Sequence, residues 1–175
     1  MTRTGPGSVP GMADIQLLRL DHAPALLAFE QENRAYFAAS IPDRGDSYFS
    51  AFAERLGDLL TEQAAGLHFF HVLVSGDGGS TDEILGRVNL VDVTDGSAEL
   101  GYRIAEKAAG KGVATDAVRR LCLLAAETYG LTALHARTTL DNPASHAVLT
   151  RAGFVSTGEI DISGRPGRSY IRTLS

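Results

Sequence analysis

Residues 98–115 read AELGYRIAEKAAGKGVAT, and the fold turns on how this stretch divides. Residues 98–104 read as a strand. A helix follows from about Thr115 to Tyr129, because Val118, Leu121, Cys122 and Ala125 recur at i, i+3, i+4 and i+7 and Gly130 stops it. Between them lies a loop of small residues, Ala109, Gly110, Lys111, Gly112, Val113, Ala114 and Thr115. The first N–H groups of a helix have no partner inside it, and that end carries partial positive charge. Glycines let the backbone approach an anion closely, so a strand–glycine loop–helix order makes a main-chain anion cradle. Lys111 adds a nearby cation. Neither the P-loop spacing nor the dinucleotide G-x-G-x-x-G pattern is present. On the residues alone, a plain glycine-rich connection competes with an anion site.

Upstream, residues 68–75 (HFFHVLVS) and 83–93 also read as strands, with turn signals at 76–82 and at Thr94-Asp95-Gly96-Ser97. Three strands with short connections predict an antiparallel meander, since parallel neighbours need a long crossover. Further upstream, 15–20 reads as a strand and Asp21 caps a helix through Phe37. A second helix is expected over about 46–63, with Phe49, Phe52, Leu56, Leu59 and Leu60 at helical spacing. Downstream, 134–139 is a strand reached by the one parallel crossover. A short helix over about 143–152 follows, then a hairpin of 154–162 and 169–174 around Arg165-Pro166-Gly167. The expectation is an α+β domain: a mixed, mostly antiparallel sheet of about seven strands with helices on both faces, spanning 14–175 after a disordered leader, 1–13.

Composition bounds the function. The chain has 175 residues, 44% apolar and 21% charged, as globular domains do. A net charge of −5 argues against non-specific nucleic-acid binding. All but two of the 16 basic residues are arginines. One cysteine, Cys122, allows no internal disulfide, and its place on the helix stripe reads as packing. No apolar run approaches a membrane span and no signal-peptide layout is visible, so a cytoplasmic location is the default expectation. The five histidines lack metal spacing, so no metal is expected, and His68 and His71 read as structural.

The loop resembles the acyl-CoA signature of the GNAT superfamily, Gln/Arg-x-x-Gly-x-Gly/Ala, which falls here on Ala109, Gly112 and Ala114, with alanine at the first position. A second segment, Asp141-Asn142-Pro143-Ala144-Ser145 followed by Gly153-Phe154, is similar to the family's later motif. Two signatures in order are far more specific than one, and their details look most like the RimJ/RimL branch, whose best-known members acetylate N-termini of ribosomal proteins. The resemblance implies an acetyl-CoA-dependent N-acetyltransferase acting by direct attack in a ternary complex. It implies that the backbone of Tyr102, Arg103 and Ile104 pairs with pantetheine, that the strands at 98–104 and 134–139 splay to admit it, that Ala109 to Thr115 hold the diphosphate, and that the Asn142 side chain bonds the pantetheine or diphosphate side. The acceptor is a protein N-terminus or a small amine. A non-catalytic acyl-CoA-binding module and a homodimer remain open.

The catalytic readings are less determined. Many family members use a tyrosine seven residues after the motif asparagine, a place held here by Leu149. Ser145 is the candidate to supply the thiolate's proton, against a simple capping role. Glu99, with Glu106 as an alternative, is the candidate base. Strand parity puts Glu99 with Gly101 and Arg103, opposite Tyr102. Glu99 could instead pair with Arg103. Glu30 and Arg34 are expected at the acceptor groove by resemblance, and by periodicity as a solvated i,i+4 pair. An α-amine, with pKa about 7.7–8.0, needs far less deprotonation work than lysine near about 10.4, so a weak, water-relayed base suits an N-terminal acceptor.

Overall fold

The structure, a computed structural model, describes residues 13–75 and 83–174. The turn expected at 76–82 and all of the expected leader except Ala13 lie outside the described residues. Ala13 itself packs into the core.

Seven strands form one sheet in the order β1-β2-β3-β4-β5-β7-β6. They are β1 (Asp14–Leu17), β2 (Phe69–Val74), β3 (Ile84–Thr94), β4 (Ser97–Ile104), β5 (Ala133–Thr139), β6 (Val155–Ile162) and β7 (Arg165–Thr173). Every neighbouring pair is antiparallel except β4 with β5. Among the described residues six helices flank them: α1 (Ala23–Glu32), α2 (Arg34–Ala38), α3 (Asp46–Ser50), α4 (Phe52–Ala64), α5 (Val113–Glu127) and α6 (Pro143–Arg151). Alternation along the strands divides the core into two layers. Leu73, Val88, Leu90, Ala98 and Leu100 meet α5 and α6 through Val118, Leu121 and Leu149. Phe70, Val72 and Val74 face the other way, onto Leu26, Phe29, Phe37 and Leu56 of the first four helices.

The predicted elements are present, with four differences. The first strand stops at Leu17 rather than residue 20. There His22 Nδ1 accepts the Arg19 N–H and the other ring nitrogen meets Gln16, which curls the chain into a 3-10 turn at Leu20–His22. The first helix is broken at Asn33, whose Nδ2 donates to the Phe29 carbonyl while its Oδ1 accepts the Glu106 N–H. The side chain thus replaces helix continuity with a tie to the end of β4. The second helix is likewise broken, at Ala51. Last, the final hairpin turns at Ser163-Gly164, not at Arg165-Pro166-Gly167. Ile162 pairs with Arg165 across a two-residue loop. Both loop residues have positive φ, 51° and 84°, as the twist of a two-residue hairpin demands.

The parallel seam positions the site. Only Ser97, Ala98 and Glu99 pair with Ala133, Leu134 and His135. Beyond them the strands diverge. The rest of β4 pairs only with β3, and Ala136 to Thr139 pair only with β7.

Candidate active site

The cleft between β4 and β5 is bounded by the loop before α5 on one side and the start of α6 on the other. In that loop a 3-10 turn, Glu106–Ala108, leads to Ala109, which is extended. Gly110 and Gly112 have φ of 73° and 78°, a region costly to residues with a Cβ. A Cβ at either would meet nothing, so backbone conformation rather than space calls for glycine. Gly112 sits at the N-cap of α5, where no side chain satisfies the opening N–H groups. Val113 and Thr115 turn their side chains inward and are buried. Any contact they make with an anion is therefore through the main chain. Lys111 is exposed. The loop is thus a row of main-chain donors at a helix N-terminus, the donor set that suits a diphosphate.

The start of α6 is held at several points. Asn142 Oδ1 accepts the Ser145 N–H at 3.2 Å, so the capping role of this asparagine is real. Its amide N–H groups remain available to a ligand. His146 is clasped between Tyr170 Oη at 2.6 Å and the Thr139 carbonyl at 3.0 Å. At the far end, Arg119 and Arg172 donate to the carbonyls of Arg151 and Ala152. Ser145 is thereby fixed with its hydroxyl 3.0 Å from Tyr102 Oη. The Ser145 hydroxyl therefore faces the strand rather than capping its own helix. Burial pushes the Tyr102 phenol up from its ordinary value, with the Ser145 hydrogen bond opposing, so it stays protonated and able to donate. Leu149 is fully buried in the core and offers nothing to the cleft.

On the opposite face of β4 the residues stand as parity predicts, in the order Glu99, Gly101, Arg103. Glu99 pairs not with Arg103 but with Arg137 of β5, at 2.7 Å, because the three-residue parallel seam brings that guanidinium alongside. Glu106 is exposed in the 3-10 turn, with its N–H bound to Asn33.

Glu30 and Arg34 are not a solvated i,i+4 pair, since each is held by other partners. Arg34 is held by Asp43 at 2.8 Å and Asp46 at 2.9 Å. Glu30 is 1% exposed and receives Arg87, Arg44 and Arg103. Both nevertheless line one shallow pocket, with Phe37, Asp43, Arg44 and Arg103. Sequence reading missed Tyr102 as a hydroxyl, as well as Arg44 and Arg87. Parity had already placed Tyr102 opposite Glu99, which was the available signal for the first.

Among the described residues no group of three or more His, Cys, Asp or Glu is placed to hold a metal ion. No helix described is long and apolar enough to cross a membrane. Cys122 is buried, as expected, and burial raises its thiol pKa.

A layered sheet that splays beside a main-chain anion loop is the framework of an acyl-CoA-dependent acyltransferase. The model of the acetyltransferase (GNAT) domain family matches residues 15–155, so the chain belongs to that family and is an N-acetyltransferase. It is 27% identical over 152 residues to the Bacillus subtilis protein named "Probable N-acetyltransferase YjcK", covering 82% of this chain and 81% of that one. Among solved structures it is similar to the ribosomal-protein-S5-alanine acetyltransferase from Vibrio fischeri, at TM-score 0.83 and 22% identity over 91% of both chains. It is also similar to Mycobacterium smegmatis RimJ in complex with CoA-disulfide, at TM-score 0.79 and 22% identity over 91% of this chain and 80% of that one. The enzyme reading therefore prevails over the non-catalytic module, and the GNAT fold over any other α+β sheet.

Proposed function

We propose that this acetyltransferase transfers acetyl from acetyl-CoA to the α-amine at a protein N-terminus. The observation that carries the reading is Glu99. It is a strand carboxylate beside the cleft, and its pairing with Arg137 makes it a weak base, which is enough, through water, only for an amine that is already partly neutral at working pH. The similar ribosomal-protein-S5-alanine acetyltransferase, named for a protein acceptor, supports the same reading.

In this reading the N–H groups of Gly110 to Thr115 and the Asn142 amide hold the diphosphate, and Lys111 adds charge at the rim. The β4 backbone at Tyr102, Arg103 and Ile104 pairs with the pantetheine amides along the edge that β5 leaves. When bound, acetyl-CoA supplies the activated thioester. The amine lone pair attacks the carbonyl carbon and the C–S bond breaks. Glu99, through water, takes the amine's proton from one face of β4. Tyr102 and Ser145 deliver a proton to the departing sulfur from the other face, and the phenol is restored from solvent. Acid and base therefore stand on opposite sides of the same strand and do not quench each other.

The experiment is CoA release with N-terminal peptides, side-chain lysine peptides and small amines, with product masses. Labelled α-amines are expected. Turnover confined to lysine side chains or polyamines overturns the reading. The arginines of the acceptor pocket disfavour polyamines, although the negative net charge of the whole chain would attract them.

A further inference from the structure

The pocket beside α1 carries more positive charge than its own architecture uses. Glu30 Oε1 accepts Arg87 Nη1 at 2.9 Å and Arg44 Nη2 at 3.3 Å, while Oε2 accepts Arg44 Nε at 3.2 Å and Arg103 Nη1 at 3.4 Å. One carboxylate thus faces three guanidinium groups. Among the described residues none of those three arginines has a second carboxylate within salt-bridge distance. Asp43 lines the same pocket but is clasped by Arg34. A structural ion pair in this place needs one arginine. Two more, partly removed from water, oppose folding unless an anion joins them. Burial first, then repulsion from Arg44 and Arg87 only partly offset by Glu30, holds Arg103 down at about 10.

The cluster is built to present hydrogen-bonding edges. Arg44 lies over the Tyr48 ring at 4.6 Å and Arg103 over the Phe37 ring at 5.1 Å. A guanidinium stacked on an aromatic face offers its N–H groups in its own plane; Glu30 takes Nε and Nη2 of Arg44 but only Nη1 of Arg103, so Arg44 Nη1 and Arg103 Nε and Nη2 are the edges left for a second carboxylate. Both arginines retain some solvent access, with side chains 29% and 19% exposed, whereas Arg87 is 5% exposed.

Its position relates it to the acceptor. Arg103 shares its face of β4 with Gly101, and a Cβ at Gly101 would meet nothing, so that face is open where the strands part. Directly opposite Gly101 in the register is Asn89, whose Oδ1 is buried without a hydrogen-bond partner. An unmet hydrogen-bond acceptor thus stands beside the open part of this face. From Gly101 to Arg103 the strand advances about 7 Å, which an extended peptide covers in two residues.

We propose that the acceptor carries a carboxylate close to its amine, seated against Arg44 and Arg103 while the amine lies over Gly101. On the N-terminal reading above, on which this form of the proposal rests, that group is an acidic side chain at the second or third residue.

The test is kcat/KM, read by CoA release, for matched acceptors. One arm uses peptides differing only by Asp against Asn at the second residue or Glu against Gln at the third. The other uses free aspartate and glutamate against their amides. The acid is expected to exceed the amide by about tenfold or more, and Arg44→Gln to collapse that ratio toward one. Preference for acid among peptides supports both proposals. Preference only among the free amino acids keeps the anion subsite and overturns the N-terminal reading. Acids no better than amides, or acids not turned over at all, overturn the subsite. Peptides acetylated without acid preference overturn the subsite and leave the N-terminal reading standing.

Discussion

The hydroxyls of Tyr102 and Ser145 lie 3.0 Å apart, joining the splayed end of β4 to the first turn of α6. One of these groups alone is a weak proton donor. Together they form a short relay whose phenol is kept neutral by burial. Tyr102→Phe should lower kcat by about 100-fold and Ser145→Ala by less, with little change in acetyl-CoA affinity by calorimetry. The double variant should be no slower than Tyr102→Phe. Additive losses would mean two independent roles, and an unchanged Ser145→Ala rate would make the serine a spectator.

The same pair fixes a pH dependence. The proposed acid works only while protonated, and burial raises Tyr102 above its ordinary value near 10. Activity carried by this group is therefore present below that value and lost as pH rises through the raised pKa. The kcat profile should show no falling limb below about pH 10, and a limb nearer neutrality would point to another acid.

His71 offers a test of stability. It is buried, with its ring between the Val88 carbonyl and Tyr129 Oη. Burial holds it down at about 4 against an ordinary 6.5. The unfolded chain therefore takes up the proton first. The stabilising contribution is complete above about 6.5 and is lost progressively as pH falls from there to about 4, about 3 kcal/mol in all. Urea midpoints between pH 7 and 4.5 should fall accordingly. The slope should be shallower in His71→Gln.

Glu30→Gln should cost about 3–5 kcal/mol, because it leaves three guanidinium groups around a neutral amide. Arg44→Gln, at the solvent side of the cluster, should cost far less. Chemical denaturation of both variants separates the weld from its surplus charge. Equal losses would make all three arginines structural.

Gly112→Ala should destabilise by about 1 kcal/mol, since φ is 78° and no clash is involved. The same change should weaken acetyl-CoA binding in titration, because relaxing that φ turns the opening N–H groups of α5 away from a common point. Stability lost without affinity would detach the loop from the diphosphate.

What the sequence made legible follows physical range. The α5 stripe, the meander and the parallel crossover are local patterns, and parity alone sorted Glu99, Gly101 and Arg103 from Tyr102. The final turn was misplaced because Pro166-Gly167 is as strong a turn signal as Ser163-Gly164, and only the pairing of Ile162 with Arg165 separates them. The resemblance put Glu30 at the acceptor groove, but its buried ion cluster escaped because periodicity reads a charged residue on a helix as solvated. Its three partners at 44, 87 and 103 converge only when α1 docks on β3 and β4. The Tyr102–Ser145 contact depends on how α6 packs beyond the splay, which no window of sequence encodes.

The three-residue seam between β4 and β5 has a consequence for how the chain is made. It divides the sheet at a single point in the sequence. The first four strands all come before residue 105 and the other three all after residue 132. The leading segment can therefore assemble its meander and cover one face with α1 to α4 while the rest is still being synthesised. Its second face waits for α5, the helix that also opens the loop proposed to hold the diphosphate. Completing the core and completing the proposed binding site are thus one folding event, and a nascent chain that stalls before α5 has neither.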